Sequence, residues 1–245
     1  MGEGIALSLA QHGWDLMLTD INEQGAQKVS GKLPTDVRAE VAHMDVMDHA
    51  RDVRAEVAHM DVMDHARVRT VVRQTVDRFG AIDALVNCAG GLRGLGIKRK
   101  PLAEIPPEEW RRIIEVNLKG VFNTVHAVLP VMKAQGHGTI VSIAASRGLR
   151  GGANASHYSA AKAGIIVFTQ TMVLECAGYG VRINSIVPGN AEARWKATDD
   201  GTTSAPLGRP TSAGDVGKAV AWLISDDAAH VTGACIDISG GTTLH

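Results

Sequence analysis

Tyr158 and Lys162 stand four residues apart in the segment YSAAK, and on a helix that spacing brings two side chains to one face, a turn apart. An ammonium beside a phenol favours the phenolate and lowers a pKa that starts near ~10. The pair is then a proton donor and acceptor usable close to neutral pH, as general acid–base catalysis needs. An exposed Tyr and Lys on an ordinary helix show the same spacing, so the elements that position them decide between the two readings.

Those elements alternate. Short apolar, β-branched runs at Asp15–Thr19, Ala55–Met60, Ala81–Cys88, Gly138–Ala144, Val181–Val187 and Ala234–Ile238 predict strands. Stretches of helical period cover Gly4–Gln11, Glu23–Lys32, Ala66–Phe79, Pro107–Lys133, Ser156–Cys176 and Ala213–Ser225. Strand and helix in alternation predict a doubly wound, Rossmann-like α/β fold, a parallel sheet with helices on both faces. Gly80, Gly136 and Gly178 follow helices as stop signals, and Pro107 suits a first helical turn. The stretch Gly189–Pro210 is rich in Gly, Thr, Asp and Pro and reads as a mobile loop.

The bulk numbers narrow the function classes. A chain of 245 residues suits one domain, 1–245, around one large core. With 25 basic and 26 acidic residues, net charge −1, there is no basic face for nucleic acid or anionic membrane. The three cysteines, Cys88, Cys176 and Cys235, are far apart and lie in apolar stretches, as free thiols in a reducing compartment would. A cytoplasmic protein is expected. No apolar run approaches the ~20 residues of a bilayer span, and Glu3 stands where a signal peptide is basic then apolar.

Two irregularities interrupt the pattern. Residues Asp36–Arg51, DVRAEVAHMDVMDHAR, recur unchanged as Asp52–Arg67. Solenoid repeats diverge and recur several times, whereas one perfect tandem copy marks a recent duplication or an assembly error. An insertion after the strand would fall at its C-terminal end, where open α/β sheets bind ligands. The second copy, around Asp61, is therefore expected in the sheet and the first looped out. Copying doubled the histidines into His43, His49, His59 and His65, and no metal site is expected. The other irregularity is the start, where Met1 leads straight into GEGIALSLAQHG with no strand ahead of it. A doubly wound sheet normally opens with a strand feeding a glycine turn that cradles a diphosphate. That strand and its first glycines are expected upstream, lost through a wrongly chosen start codon.

YSAAK has company. NCAG (Asn87–Gly90), VNLKG (Val116–Gly120), IVPG (Ile186–Gly189), PLGRP (Pro206–Pro210) and VTGACIDISGG (Val231–Gly241) follow in order. In that order and at those separations they resemble the short-chain dehydrogenase/reductase family along nearly the whole chain. The resemblance implies a hydride transfer between a nicotinamide cofactor and a small alcohol or carbonyl substrate, a 3-oxoacyl thioester being the nearest specific guess. It implies Tyr158 as general acid/base, Lys162 as the residue that tunes it and holds the nicotinamide ribose, and Asn117 as support for a proton-relay water. It matches Gly2 to the last glycine of the diphosphate turn and Asp61 to the acidic residue contacting adenine, with Asp45 as its duplicate. Asn87, Ala89 and Gly90 match the backbone lining the cofactor, and Pro188 with Gly189 the turn beside the nicotinamide. Asp20 closes WDLMLTD, where a carboxylate accepts both adenosine-ribose hydroxyls and repels a 2′-phosphate, so NAD is expected over NADP. A turn or cap residue is the other reading of Asp20.

Departures from the family pattern bear on activity. Its catalytic serine lies thirteen residues before the tyrosine, where this chain has Ala145, and Ser146 next to it is the candidate replacement. One lost donor of that kind costs about 10²- to 10³-fold in rate. The family's threonine after the PG turn is replaced by Ala193. These departures motivate a rival expectation, a catalytically silent relative that binds cofactor or serves as a structural subunit. Arg194, Trp195 and Lys196 read either as contacts for an acidic substrate or as solvated surface. The absent first strand is implied to be central, between the strands ending at Asp20 and Cys88, leaving two inner edges unpaired. The spare copy Ala39–Val46 is one candidate to fill that gap. A homo-oligomer, tetramer or dimer, is implied along the helices ending near Lys133 and Cys176.

Overall fold

Parallel strands cannot be joined by tight hairpins and need a helical crossover between each pair, which the alternating periodicities supply. The computed structural model describes residues 1–34, 54–189 and 205–243. Its elements in order are α1 (Gly2–Gln11), β1 (Leu16–Asp20), α2 (Glu23–Ser30), β2 (Ala55–His59), α3 (His65–Phe79), β3 (Ala84–Asn87), α4 (Pro107–Ile114), α5 (Gly120–Gln135), β4 (Gly138–Ile143), α6 (Ser146–Arg150), α7 (Ser156–Cys176), β5 (Val181–Pro188), α8 (Ala213–Ile224) and β6 (Cys235–Ile238). All strand pairs are parallel. The fold is the expected Rossmann-like one, with helices on both faces of the strands.

The strand alternation sorts the core into two layers. On β4, Val141 and Ile143 pack with Ile5 and Leu9 of α1 and Val216, Val220 and Leu223 of α8. Ile140, pointing the other way, meets Val125 and Met132 of α5 and Ile165 of α7. Every residue of β4 is buried. The two-sided burial explains the largely apolar run at β4, while Arg182 and Asn184 of β5 are accommodated by bonds to Leu223 O, Ser225 O and Val231 O.

The strands form a four-stranded sheet, β3-β4-β5-β6, and a separate pair, β1-β2. The expected gap is present between β1 and β3. Their facing edges have no strand partner among the described residues, and a cavity of about 600 Å³ separates them, lined by Leu16–Asp20, by Ala84–Val86, by α1 and by α3. Helices hold the two parts together across it. Gly4 of α1 meets Ala213, where an added Cβ would stand 2.5 Å from its Cβ, and Gly217 of α8 meets the Gly4 carbonyl, 2.6 Å from a would-be Cβ.

Several expectations are corrected. The single helix expected over Pro107–Lys133 is two helices with one wide π turn between them, Glu115–Lys119. The stop after α7 is Gly180, left-handed at φ 67°, because Gly178 lies inside a short 3-10 turn. By composition Ser156–Tyr179 is long and apolar enough to cross a bilayer, contrary to the expectation that no run approaches that length. In this fold the helix packs on β5 and α4 and buries Lys162 and Thr169. β2 comes from the second copy of the repeat, as expected. The first copy, with His43, Asp45, His49 and Ala39–Val46, lies outside the described residues, as do Ala193, Arg194, Trp195 and Lys196.

Candidate active site

The C-terminal ends of β3, β4, β5 and β6 carry Asn87, Ile143, Pro188 and Ile238. Open α/β sheets bind ligands at this edge, and α7 begins beside it. Tyr158 and Lys162 share one face of α7, with the Lys162 ammonium 5.8 Å from the Tyr158 ring centre. Lys162 is buried and its Nζ donates to the carbonyl of Ile143 at 2.7 Å. Burial pushes its pKa down to about 8. Neutral Lys162 is therefore within reach of ordinary pH, the desolvation outweighing the opposing influence of Cys88. Tyr158 is half-buried against an apolar group that includes Leu92, Ile113 and Ala161.

α6 crosses α7 closely at this point. A Cβ on Gly148 would stand 2.6 Å from the backbone of Lys162, so only glycine lets the two helices approach. Ala145 caps α6 in an extended conformation without a side-chain bond, and Ser146, half-buried, is its first residue.

Asn117 sits in the π turn, fully buried. Its Oδ1 accepts from the Gly91 amide at 2.7 Å and its Nδ2 donates to Ile113 O at 3.1 Å. The wide turn aims this side chain at the loop after β3, a common use of π-bulges at functional sites. Gly90 has φ 132°, and a Cβ there would stand 2.5 Å from Asn117 Oδ1. Ala89 and Gly90 are exposed at the sheet edge. Opposite them, Pro188 ends β5, and a Cβ on Gly189 would fall 2.7 Å from Ser239 Cα and from Thr211 Oγ1.

The other end of the crevice lies over the β1-β2 pair. Gly2 opens α1, exposed, and a Cβ there would be 3.9 Å from Cys88 Sγ. Met1 caps α1 with no side-chain bond, which leaves first-turn amides facing outward for an anion. The one first-turn carboxylate, Glu3, is paired with Lys32 at 2.5 Å. Burial pushes the Cys88 thiol up. Asp20 Oδ1 accepts from the Asn22 amide and Asp61 Oδ1 from the Met63 amide, so each carboxylate braces a turn and has a second oxygen. The turn reading of Asp20 occupies one of its carboxylate oxygens.

Comparison with known proteins gives one consistent answer. Residues 48–243 match the family model described as enoyl-(acyl carrier protein) reductase. A 3-oxoacyl-[acyl-carrier-protein] reductase of Thermotoga maritima is 36% identical, over 100% of this chain and 94% of that protein. The trans-4-hydroxycyclohexanecarboxylate dehydrogenase of Sinomonas cyclohexanicum is 33% identical over 99% and 88%. Among solved structures, a 3-ketoacyl-(acyl-carrier-protein) reductase from Brucella melitensis complexed with NADH superposes with a TM-score of 0.81, at 26% identity, covering 99% of this chain and 93% of that one. The chain belongs to the short-chain dehydrogenase/reductase family.

For this short-chain dehydrogenase/reductase the fold brings Asn117, Tyr158, Lys162, Gly90, Pro188 and Gly189 to one edge, and Gly2, Asp20 and Asp61 to the ends of elements over the smaller pair. The side chain of Asn87, on which the sequence reading is silent, has a structural part of its own. It is buried, accepting from Thr124 Oγ1 at 2.6 Å and donating to Ser142 Oγ at 3.1 Å, and it fixes the end of β3 while leaving the backbone at the sheet edge. Thr124 and Ser142 escape sequence reading because each lies in an otherwise apolar run, where a lone hydroxyl carries no pattern. Thr211 escapes for a similar reason. Its Oγ1 donates to Ile238 O at 2.8 Å and fastens the segment before α8 to the end of β6.

Proposed function

We propose that the chain is a single oxidoreductase domain, residues 1–245, that passes a hydride between NAD(H) and a small alcohol or carbonyl substrate. The observation that carries this reading is the Tyr158–Lys162 pair on one face of α7, at the C-terminal sheet edge, with the ammonium buried. The residues present fit a nicotinamide dinucleotide: uncapped α1 amides for the diphosphate, Asp20 for the adenosine ribose and Asp61 for the adenine. Asn87, Ala89 and Gly90 would line its middle, and Lys162, Pro188 and Gly189 its nicotinamide end. The bound cofactor supplies or accepts the hydride.

In the reductive direction Tyr158 gives its phenolic proton to the carbonyl oxygen, and the charge of Lys162 steadies the phenolate that remains. Asn117, anchored to Ile113 O and Gly91 N, holds the loop that shapes the cofactor side of the crevice. Ser146 replaces the hydroxyl absent at Ala145 as donor to the substrate oxygen. Asp20 disfavours a 2′-phosphate, which favours NAD over NADP. Relatives named for 3-oxoacyl, cyclohexanol and hydroxycyclohexanecarboxylate substrates all act on an alcohol or its carbonyl. The setting is a reducing cytoplasm, and exposed Phe122 on α5 with Val167 and Leu174 on α7 supports a homo-oligomer through these helices.

The test is absorbance of NADH and NADPH at steady state with a panel of ketones and alcohols. Tyr158→Phe is expected to lower kcat by about 10²- to 10⁴-fold while NADH binding, read by fluorescence, persists. Binding of NADH without turnover of any substrate would instead establish the silent relative that Ala145 suggests.

A further inference from the structure

His157, the residue before Tyr158, is fully buried, and neither ring nitrogen has a hydrogen-bond partner. Its Nε2 lies 3.5 Å from Oε1 of Glu109 on α4, a carboxylate oxygen that is also buried and unpartnered. The other oxygen of Glu109 accepts from Lys100 Nζ at 2.8 Å. The Lys100 amide in turn donates to the carbonyl of Asn154 at 3.0 Å. Asn154 is a non-glycine residue at φ 62° and stands two positions before α7 begins. Trp110 stacks on the imidazole, ring centres 6.2 Å apart. Lys100, Glu109 and His157 thus run as a line from the loop after β3 to the first turn of the helix that carries Tyr158.

Buried polar groups in folded proteins nearly always find partners. Here two such groups face each other across a gap only about 0.6 Å longer than an ordinary N–H···O bond. The carboxylate is fixed at its far oxygen by Lys100, so the imidazole is the free member. No acidic side chain of the first turn of α7 competes for it, and Ala155 offers no side-chain cap. The first turn is tied to its cap by a backbone bond, Ser159 N to Ala155 O at 2.9 Å.

We propose that Glu109 and His157 are a positioning pair: His157 Nε2–H donates to Glu109 Oε1, and the bond fixes the first turn of α7 so that Tyr158 points into the crevice. Neither residue touches substrate. Their action passes through the backbone that joins His157 to Tyr158, and Lys100 makes it sensitive to how the loop after β3 sits on Asn154. The proposal rests on Tyr158 being the proton donor.

The test uses His157→Phe, which keeps the ring and its stacking on Trp110, and His157→Gln, whose amide nitrogen reaches about as far as Nε2. His157→Phe is expected to lower kcat about tenfold, a misplacement of the donor by a fraction of an ångström, with KM for NADH unchanged; His157→Gln should restore most of it. Glu109→Leu should match His157→Phe, and the double variant should be no worse than either single one. Wild-type kcat in His157→Phe, equal loss in the Phe and Gln variants, or additive loss in the double variant would overturn the pair. A second readout is independent of turnover. Hydrogen exchange of the amides from Tyr158 to Ala161, followed by mass spectrometry, should quicken in the Phe variant and not in the Gln variant. Should the wild-type protein turn over no substrate, the oxidoreductase reading fails while the exchange experiment still decides the pair.

Discussion

The two sides of the cavity are built from similar strands and are held by different means. On one side β4 and β5 are paired along both edges and buried on both faces. On the other, β1 is paired only with β2 among the described residues, and its burial fades from Leu16 to an exposed Asp20. Tyr158, Lys162 and Asn117 are fastened to the first side, and the candidate contacts for the adenosine end, Gly2, Asp20 and Asp61, to the second. On the proposed reading, the proton donor rests on continuous sheet and the contacts for the far end of the cofactor on a two-stranded ribbon. A two-stranded ribbon is marginal without further packing, whereas three or more paired strands with an apolar face are stable, and among the described residues only the Tyr158 side has that many.

The largest expected effect tests that contrast in the core. Ile140 of β4 is fully buried among α5 and α7 side chains, so Ile140→Ala is expected to destabilise by about 2–5 kcal/mol, the usual cost of a dense-core truncation. Leu18 of β1 is half-buried and lines the cavity. Leu18→Ala removes contacts on one side only, for an expected loss of about 1 kcal/mol or less. Chemical denaturation of both variants measures the difference. Equal losses would mean that the β1 side is as well packed as β4 and that the contrast is wrong.

Much of this was legible in the sequence, for a physical reason. Strands buried in a parallel sheet leave short apolar runs, and a parallel sheet forces helical periods between them, so the element order follows from pattern, while the place of the break beside β1 is what the family resemblance implies. The spacing of Tyr158 and Lys162 gave their shared face. What pattern does not encode is the partner of a buried polar atom. The Asn87 side chain links to Thr124 and Ser142; His157 and Glu109 are 48 positions apart in sequence and meet only because α4 packs on α7. The π turn at Asn117 was hidden as well, because it continues from α4 into α5 without a break in the helical stretch.

Lys162 gives the next effect. Its pKa falls to about 8 in the folded chain, through burial, from 10.5 when free. Between those values the unfolded chain binds more protons than the native one, so stability rises with pH across the window, and below about 8 the whole penalty is present. The penalty is roughly 3 kcal/mol at neutral pH. Cys88 acts in the opposite sense: burial keeps its thiol protonated in the folded chain, so its contribution falls as the unfolded thiol ionises. Comparing the pH dependence of unfolding with that of Lys162→Met isolates the lysine. The variant should lose the rise between pH 8 and 10.5; an unchanged slope would show that water reaches Lys162 and that the catalytic side is wetter than its packing suggests.

The smallest effect lies where the two sides are joined. α8 sits on the four-stranded sheet and grips α1 through Gly217 and Ala213, so its first turn bears on the cavity from outside. Ser212 and Asp215 close a capping box there: the Asp215 amide donates to Ser212 Oγ at 3.1 Å and the Ser212 amide donates back to Asp215 Oδ2 at 2.8 Å. Arg209 adds two bonds to the same carboxylate, at 2.5 and 2.8 Å, and these together with the Ser212 bonds hold its pKa well below the usual carboxylate range. Asp215→Ala is expected to cost about 1 kcal/mol, the usual loss for a helix cap, and Arg209→Ala less, because the guanidinium is mostly exposed and its ion pair is screened. The sign with pH follows from the lowered carboxyl: its contribution is complete at neutral pH and fades as the carboxylate takes up a proton in acid. If α8 is the clamp between the two sides, Asp215→Ala should also quicken hydrogen exchange in α1 and leave β5 unaffected. A loss confined to α8 would place the joint elsewhere, in the packing of α3 against α5.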